Sequence, residues 1–186
     1  WEGIFQPPSL HIVVVTPQCN LRCLYCHAGL DQNKHECMTA KTASAVLDKI
    51  LATPANTMTL EIQGGEPMLN FEVCKYLIED GKSRALQTSK QLSFCIVTNF
   101  TNLLTDDRIR FLIDHEVSVS TSIDGDAAIH EHNRNQNYPG GFAILSERVA
   151  TFRKIWRQMR DDEPQLSAMV TTTSASLTKA HEIVDA

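Results

Sequence analysis

The sequence predicts an α/β domain of consecutive parallel βα units. Short apolar runs without helical period alternate with longer segments whose apolar residues recur at helical spacing, and the connections are long enough for crossover helices. The size agrees: 186 residues, 42% hydrophobic and 21% charged, with 8 Gly and 7 Pro, describe one ordinary globular domain.

The first strand is His11 to Thr16 (HIVVVT), a β-branched run closed by Pro17, which has no N–H for a sheet ladder. Thr39 is placed to cap a helix whose stripe is Ala43, Val46, Leu47, Ile50 and Leu51, ending before Pro54. Met58 to Gln63 is the second strand, and Asn70 caps a short helix with Cys74, Leu77 and Ile78 on one face. Leu92 to Thr98 is the third, followed by Thr105 as cap and Ile109, Leu112 and Ile113 as a stripe. Val117 to Ile123 is the fourth. After a long loop, Phe142 to Met159 carries Phe142, Leu145, Val149, Phe152, Trp156 and Met159 on a helical face. Leu166 to Thr172 is the fifth strand, and Ile183 and Val184 begin a further helix. Right-handed connections of this kind build either an open doubly wound sheet or a barrel, and pattern alone leaves both open. The sequence stops about one turn into that last helix, so residues 1–186 are expected to be a portion of a longer protein.

Charge and hydropathy exclude several classes. With 17 Lys+Arg against 22 Asp+Glu, a net charge of -5 offers no general attraction to nucleic acid or to anionic lipid. The longest apolar run, Ile12 to Val15, falls far short of the roughly 20 residues that span a bilayer, and the opening WEGIFQPPSL lacks the pattern of a signal peptide. Six cysteines are present, three of them within eight residues, in a chain large enough to build its core unaided. Reduced thiols and a cytoplasmic location are therefore expected. Cys37, Cys74 and Cys95 are scattered and read as small hydrophobes.

The strongest chemical signal is Cys19-Asn-Leu-Arg-Cys23-Leu-Tyr-Cys26, in the loop after the first strand, where parallel sheets place their sites. Thiolates select zinc, copper(I) or iron–sulfur clusters, and three close ones can hold three corners of a cubane, leaving an open iron. The alternative is a structural zinc site completed by His27, His11 or Cys37, although the second ligand pair usual in zinc modules is missing. Gly64-Gly65-Glu66-Pro67 closes the second strand. Two glycines would let backbone carbonyls approach a ligand, and Glu66 adds an acceptor for an ammonium; the bland alternative is a tight turn. At the fourth strand the period of two points Ser120, Ser122 and Asp124 to one face, while Asp124-Gly125 is also an ordinary turn pair. Arg134 offers a planar guanidinium suited to a carboxylate. The remaining histidines form no spaced ligand set, and Asp106-Asp107 suits a helix N-terminus.

Taken together, CxxxCxYC after the first strand, GGEP after the second, Thr98-Asn99-Phe-Thr-Asn-Leu after the third, Ser122-Ile-Asp124-Gly125 after the fourth and His130-Glu-His-Asn-Arg134 beyond it resemble the radical S-adenosylmethionine (SAM) superfamily. Within it, the sequence most resembles maturases of peptides and proteins, the anaerobic sulfatase maturases and the SPASM-type subgroup. The resemblance implies a partial TIM-like (β/α)6 barrel, here ending after the fifth strand, with the last βα unit and any auxiliary-cluster domain absent from residues 1–186. It implies a [4Fe-4S] cluster on Cys19, Cys23 and Cys26, with SAM chelating the unique iron and cleaved reductively to a 5′-deoxyadenosyl radical that abstracts a substrate hydrogen. It implies Tyr25 near the adenine, Gly64, Gly65, Glu66 and Pro67 around the SAM amino group, and Asn99 at the third strand end. Ser122 and Asp124 would lie near the ribose, Arg134 at the carboxylate, and the backbone near Met169 to Thr171 by the adenine. Phe100 stands where the family has Gly, which predicts reduced backbone freedom there. The implied partners are a peptide or protein substrate and an electron donor such as flavodoxin or ferredoxin. Neither nucleic acid nor membrane is expected, and no catalytic acid or base is assigned. A radical SAM enzyme acting on a small molecule and a noncatalytic zinc-binding module are the competing readings.

Overall fold

The computed structural model describes residues 7–26, 36–134 and 138–185. Its elements are β1 (Leu10–Val14), α1 (Ala40–Leu51), β2 (Thr57–Gln63), a 3-10 turn (Pro67–Asn70), α2 (Phe71–Gln87), β3 (Gln91–Thr98), α3 (Asp106–Asp114), β4 (Ser118–Ser122), α4 (Ala127–Arg134), α5 (Gly141–Met159), β5 (Leu166–Met169) and α6 (Ala180–Val184). All five strands pair in parallel, in the order β1-β2-β3-β4-β5. That order decides between the architectures that pattern left open. A doubly wound sheet reverses its strand order at a switch point, whereas strands added in one direction form a barrel wall.

One face of the wall carries the core. Val13, Val15, Leu60, Ile62, Phe94, Ile96 and Val119 alternate along the strands and are buried with Leu47, Leu77, Ile109, Leu112 and Phe152 of the helices. On that layer α1 packs on α2, while α3 and α4 pack on α5. The other face is open at β1, where Ile12 and Val14 remain 55% and 57% exposed. Along β2 to β4 it presents Glu61, Gln63, Cys95, Val97, Ser120 and Ser122, all half-buried. A parallel strand is normally covered on both faces, so this second face is the concave interior of the barrel wall.

Local chemistry explains where elements begin and end. Thr39 caps α1 as expected, accepting from the Thr42 N–H at 3.2 Å. Asn70 occupies the cap position of α2 but makes no capping bond; its amide instead donates to the carbonyls of Val15 and Met38 at 2.9 and 3.0 Å. Thr105 likewise precedes α3 without a side-chain cap, and Asp106 and Asp107 supply the favourable charge of its first turn. The second helix is not short: it runs for 17 residues. Its stripe continues through Gly81 and Ala85, whose small size hides them from an apolar count, and a Cβ at Gly81 would stand 3.0 Å from the Phe94 ring.

The long loop expected after the fourth strand contains α4, an eight-residue polar helix that buries Ile129, His130, Asn133 and Arg134. The fifth strand stops at Met169 rather than Thr172, because the Thr171 N–H is taken by the Asp124 side chain. Among the described residues no helix is long and apolar enough to cross a membrane.

Candidate cofactor site

The cysteine loop leaves β1 and runs beside the residues that follow β2. Their pairing continues past both strand ends: the Val15 N–H donates to Gln63 O at 3.0 Å, Gly65 N–H to Thr16 O at 2.8 Å and Glu66 N–H to Gln18 O at 2.7 Å. This pairing is why both residues are glycine. A Cβ would lie 2.6 Å from Thr16 O at Gly64 and 2.2 Å from Gln18 O at Gly65. The missing Cβ atoms admit the backbone that carries the cysteines, and both glycines also line the cavity described below.

Glu66 is fully buried, and its carboxylate is a junction. Oε1 accepts from Met68 N–H at 3.0 Å and from the Thr98 hydroxyl at 2.7 Å, and Oε2 accepts from Asn99 N–H at 2.8 Å. It thereby caps the 3-10 turn and ties the end of β2 to the end of β3. Burial raises its pKa and these donors work against that rise. One acceptor position on Oε2 is not used by these three bonds, so an ammonium is compatible with, but secondary to, this structural role.

Asn99 bridges toward the cysteine loop, donating to Asn20 Oδ1 at 2.8 Å with Cys19 Sγ at 4.0 Å. The next residue, Phe100, adopts φ 52°, the left-handed conformation that favours glycine. The fold compensates for this left-handed backbone by burying the ring completely, 5.9 Å from the Phe152 centroid. Phe100→Gly is therefore expected to destabilise despite relieving the backbone: relief of about 1–2 kcal/mol is set against about 3–5 kcal/mol for emptying a phenyl-sized core site. A denaturant melt checks this, and a variant as stable as the parent would refute the compensation.

A cavity of about 160 Å³ opens at the carboxyl ends of β1 to β4. Cys19, Cys23 and Cys26 line it with Tyr25. Gly64, Gly65 and Glu66 form its second wall, and Asn99, Ser122 and Arg134 complete it. Two of the residues singled out from the sequence do not reach it. Pro67 is buried at the start of the 3-10 turn, and Asp124 is wholly enclosed behind the wall. Leu21, Gln63 and Val97 line the cavity without having been singled out, and Thr98, the first residue of the motif quoted at the third strand end, lines it too. For Gln63 and Val97 a signal existed, because they share the strand period with the concave face; Leu21 carries none.

Behind the wall, the Tyr25 hydroxyl donates to Asp124 Oδ2 at 2.6 Å and Arg134 Nη2 donates to Asp124 Oδ1 at 2.8 Å, with the Arg134 guanidinium over the Tyr25 ring. The Asp124 N–H donates to His130 Nδ1 at 3.4 Å, and burial together with Arg134 pushes the His130 pKa down to about 4, which keeps the ring neutral. The Leu24 N–H donates to Asn133 O at 2.8 Å, which fastens the cysteine loop to α4. The signatures after the fourth strand and around His130 are thus one physical unit. Thr171, expected to offer its backbone to adenine, gives its N–H to Asp124.

All six cysteines are free thiols. Burial, aided by the charges of Glu66, Cys23 and Cys26, pushes Cys19 up to about 11, and burial raises Cys23 against the pull of Arg134. Metal ligation here must therefore displace thiol protons. Among the described residues no three His, Cys, Asp or Glu side chains converge as a single metal ion would require. His27, the neighbouring candidate for a zinc ligand, lies outside the described residues, as does His35. Three soft donors around a shared cavity whose wall includes the cation Arg134 fit a larger thiolate-bound group that also brings an anion.

Residues 8–141 match the family described as 4Fe-4S single cluster domain. The S-adenosylmethionine-dependent nucleotide dehydratase of Psychrobacter lutiphocae is 25% identical over 185 residues, covering 92% of this chain and 57% of that protein. The cysteine-type anaerobic sulfatase-maturating enzyme of Clostridium perfringens is 28% identical over 134 residues, covering 69% of this chain and 36% of that protein. Among solved structures, native anSMEcpe with bound AdoMet and Kp18Cys peptide superposes with a TM-score of 0.80 at 21% identity, covering 96% of this chain and 48% of that one. The fold is shared, and the chain spans between about a third and somewhat over half of the length of these relatives.

Proposed function

The chain belongs to the 4Fe-4S single cluster domain family, and from that membership we propose that it is the core of a radical SAM enzyme that modifies a peptide or protein. The observation that carries the reading is the convergence of three thiols, the Gly64–Glu66 strip, Ser122 and Arg134 on one cavity. Cys19, Cys23 and Cys26 would hold a [4Fe-4S] cluster, and SAM would occupy the cavity beside them. When bound, the reduced cluster and SAM supply a 5′-deoxyadenosyl radical that abstracts a substrate hydrogen.

The chain's own residues bind and orient. The Gly64 and Gly65 backbone and Glu66 form the wall for the amino group, Ser122 offers a hydroxyl to the ribose, and Arg134 presents its guanidinium to the carboxylate. Tyr25 presents its ring beside the last cysteine. The concave face below, with Ser120, Cys95 and Glu61, leads away from the cavity and is the place for a substrate. An external one-electron donor such as flavodoxin or ferredoxin would be required.

The peptide reading is supported by the maturase relative and by the shared fold with a peptide-bound structure. A small-molecule substrate is the second reading, favoured by the nucleotide dehydratase, whose likeness extends over 92% of this chain.

The test is electron paramagnetic resonance of the anaerobically reconstituted, reduced protein. A [4Fe-4S]+ signal that changes shape on addition of SAM is the expected result. Stoichiometric zinc without acid-labile sulfide would replace this reading by a structural metal site.

A further inference from the structure

Asp124 lies two residues beyond β4, with none of its surface exposed. Its carboxylate joins four segments of the chain. Oδ2 accepts from Tyr25 of the cysteine loop at 2.6 Å and from Asn133 of α4 at 3.3 Å. Oδ1 accepts from Arg134 of α4 at 2.8 Å and from the Thr171 N–H beyond β5 at 3.1 Å. An ionised carboxylate has about four acceptor positions, two on each oxygen. All are taken from within the chain, which leaves none for the ribose contact that the sequence resemblance implies for this residue.

Arg134 shows the complementary imbalance. The residue is only 7% exposed and lines the cavity, yet its Nε is buried without a partner. Asp124 engages the guanidinium through Nη2 and leaves Nε unsatisfied. A charged donor enclosed without an acceptor is unfavourable, so the guanidinium keeps this position because Asp124 anchors Nη2. A planar fork anchored at one nitrogen is also fixed in direction at the others, which a flexible cation is not.

We propose that Asp124 is a positioning residue that does not touch the ligand and fixes the Arg134 guanidinium in the cavity wall, where it meets the carboxylate of bound SAM. This inference rests on the reading of the cavity as a SAM site.

The ligand pair that tests it is SAM and decarboxylated SAM, which share the nucleoside and the sulfonium but differ at the carboxylate. Binding of each is measured by equilibrium titration of the cluster-reconstituted protein, with iron and sulfide content as the control for an intact cluster. Asp124→Asn, similar in shape but neutral, is expected to weaken SAM on the order of tenfold or more while decarboxylated SAM changes by less than about twofold. Equal losses for both ligands would assign Asp124 to the nucleoside, and no loss for either would remove its role; both outcomes overturn the proposal.

Should Asp124→Asn fail to fold, Arg134→Lys keeps the charge and removes the anchored fork. Selective loss of SAM is again expected, and parental SAM affinity would overturn the proposal. A parent protein that forms its cluster but binds neither ligand contradicts the SAM reading itself. Parental binding with no selective change in either variant contradicts only the positioning role.

Discussion

Cys23→Ala is expected to abolish SAM cleavage. The loop holding Cys23 is fixed by backbone bonds, Cys26 N–H to Cys23 O at 3.1 Å and Leu24 N–H to Asn133 O at 2.8 Å, so removing the side chain leaves the loop in place and deletes one thiol. A cluster deprived of one of three protein ligands is held by two. Because even outer-shell partners of a metal site are worth about 10–100-fold, loss of a direct ligand should lower 5′-deoxyadenosine formation by more than about a hundredfold. Iron content should fall with it. Cys74, buried in the core with its thiol directed at Pro67 O at 3.5 Å, provides the contrast: Cys74→Ala should retain the parental iron. Parental 5′-deoxyadenosine formation by Cys23→Ala would remove the ligand assignment.

Gly65→Ala is expected to destabilise the whole site without touching a ligand atom. The added methyl would meet Gln18 O at 2.2 Å and Gln18 C at 2.5 Å, both backbone atoms that no rotamer change can move. Relief requires the two backbone segments to separate, which breaks the Gly65-to-Thr16 and Glu66-to-Gln18 hydrogen bonds and loosens the buried Glu66 junction. Strain and lost buried hydrogen bonds of this kind place the effect at about 3–5 kcal/mol, which lowers Tm by roughly 10 °C in a domain of this size. Cluster loading should fall in parallel, since the cysteine loop is the part displaced. A Tm within about 2 °C of the parent would show that the close approach is not needed.

These effects separate what could be read along the chain from what could not. The cysteine triplet was legible because its donors are close in sequence and thiols have few alternative uses at that spacing. The strands and most helices were legible because burial on one side imposes a period of two or of 3.6 on the apolar residues. The 17-residue length of α2 was not, because Gly81 and Ala85 bury a face without large apolar side chains. Nor was α4, whose buried face is made of Ile129, His130, Asn133 and Arg134, mostly polar groups that a hydropathy pattern assigns to solvent.

The sequence by itself determined the βα alternation and the position of the three close thiols, since these depend on residue type and local spacing. Tertiary structure decided three things that the pattern of residue types left open. The one-directional strand order selected the barrel wall over the doubly wound sheet. The Gly64 and Gly65 contacts added a close backbone approach at two residues that also line the cavity. Asp124 proved to be enclosed by Tyr25, Asn133, Arg134 and Thr171, drawn from segments up to 146 positions apart, 171 less 25. The physical reason is common to all three: strand order, backbone proximity and hydrogen-bond saturation are relations between distant segments, and no local pattern of residue types encodes which of several compatible partners a group will meet.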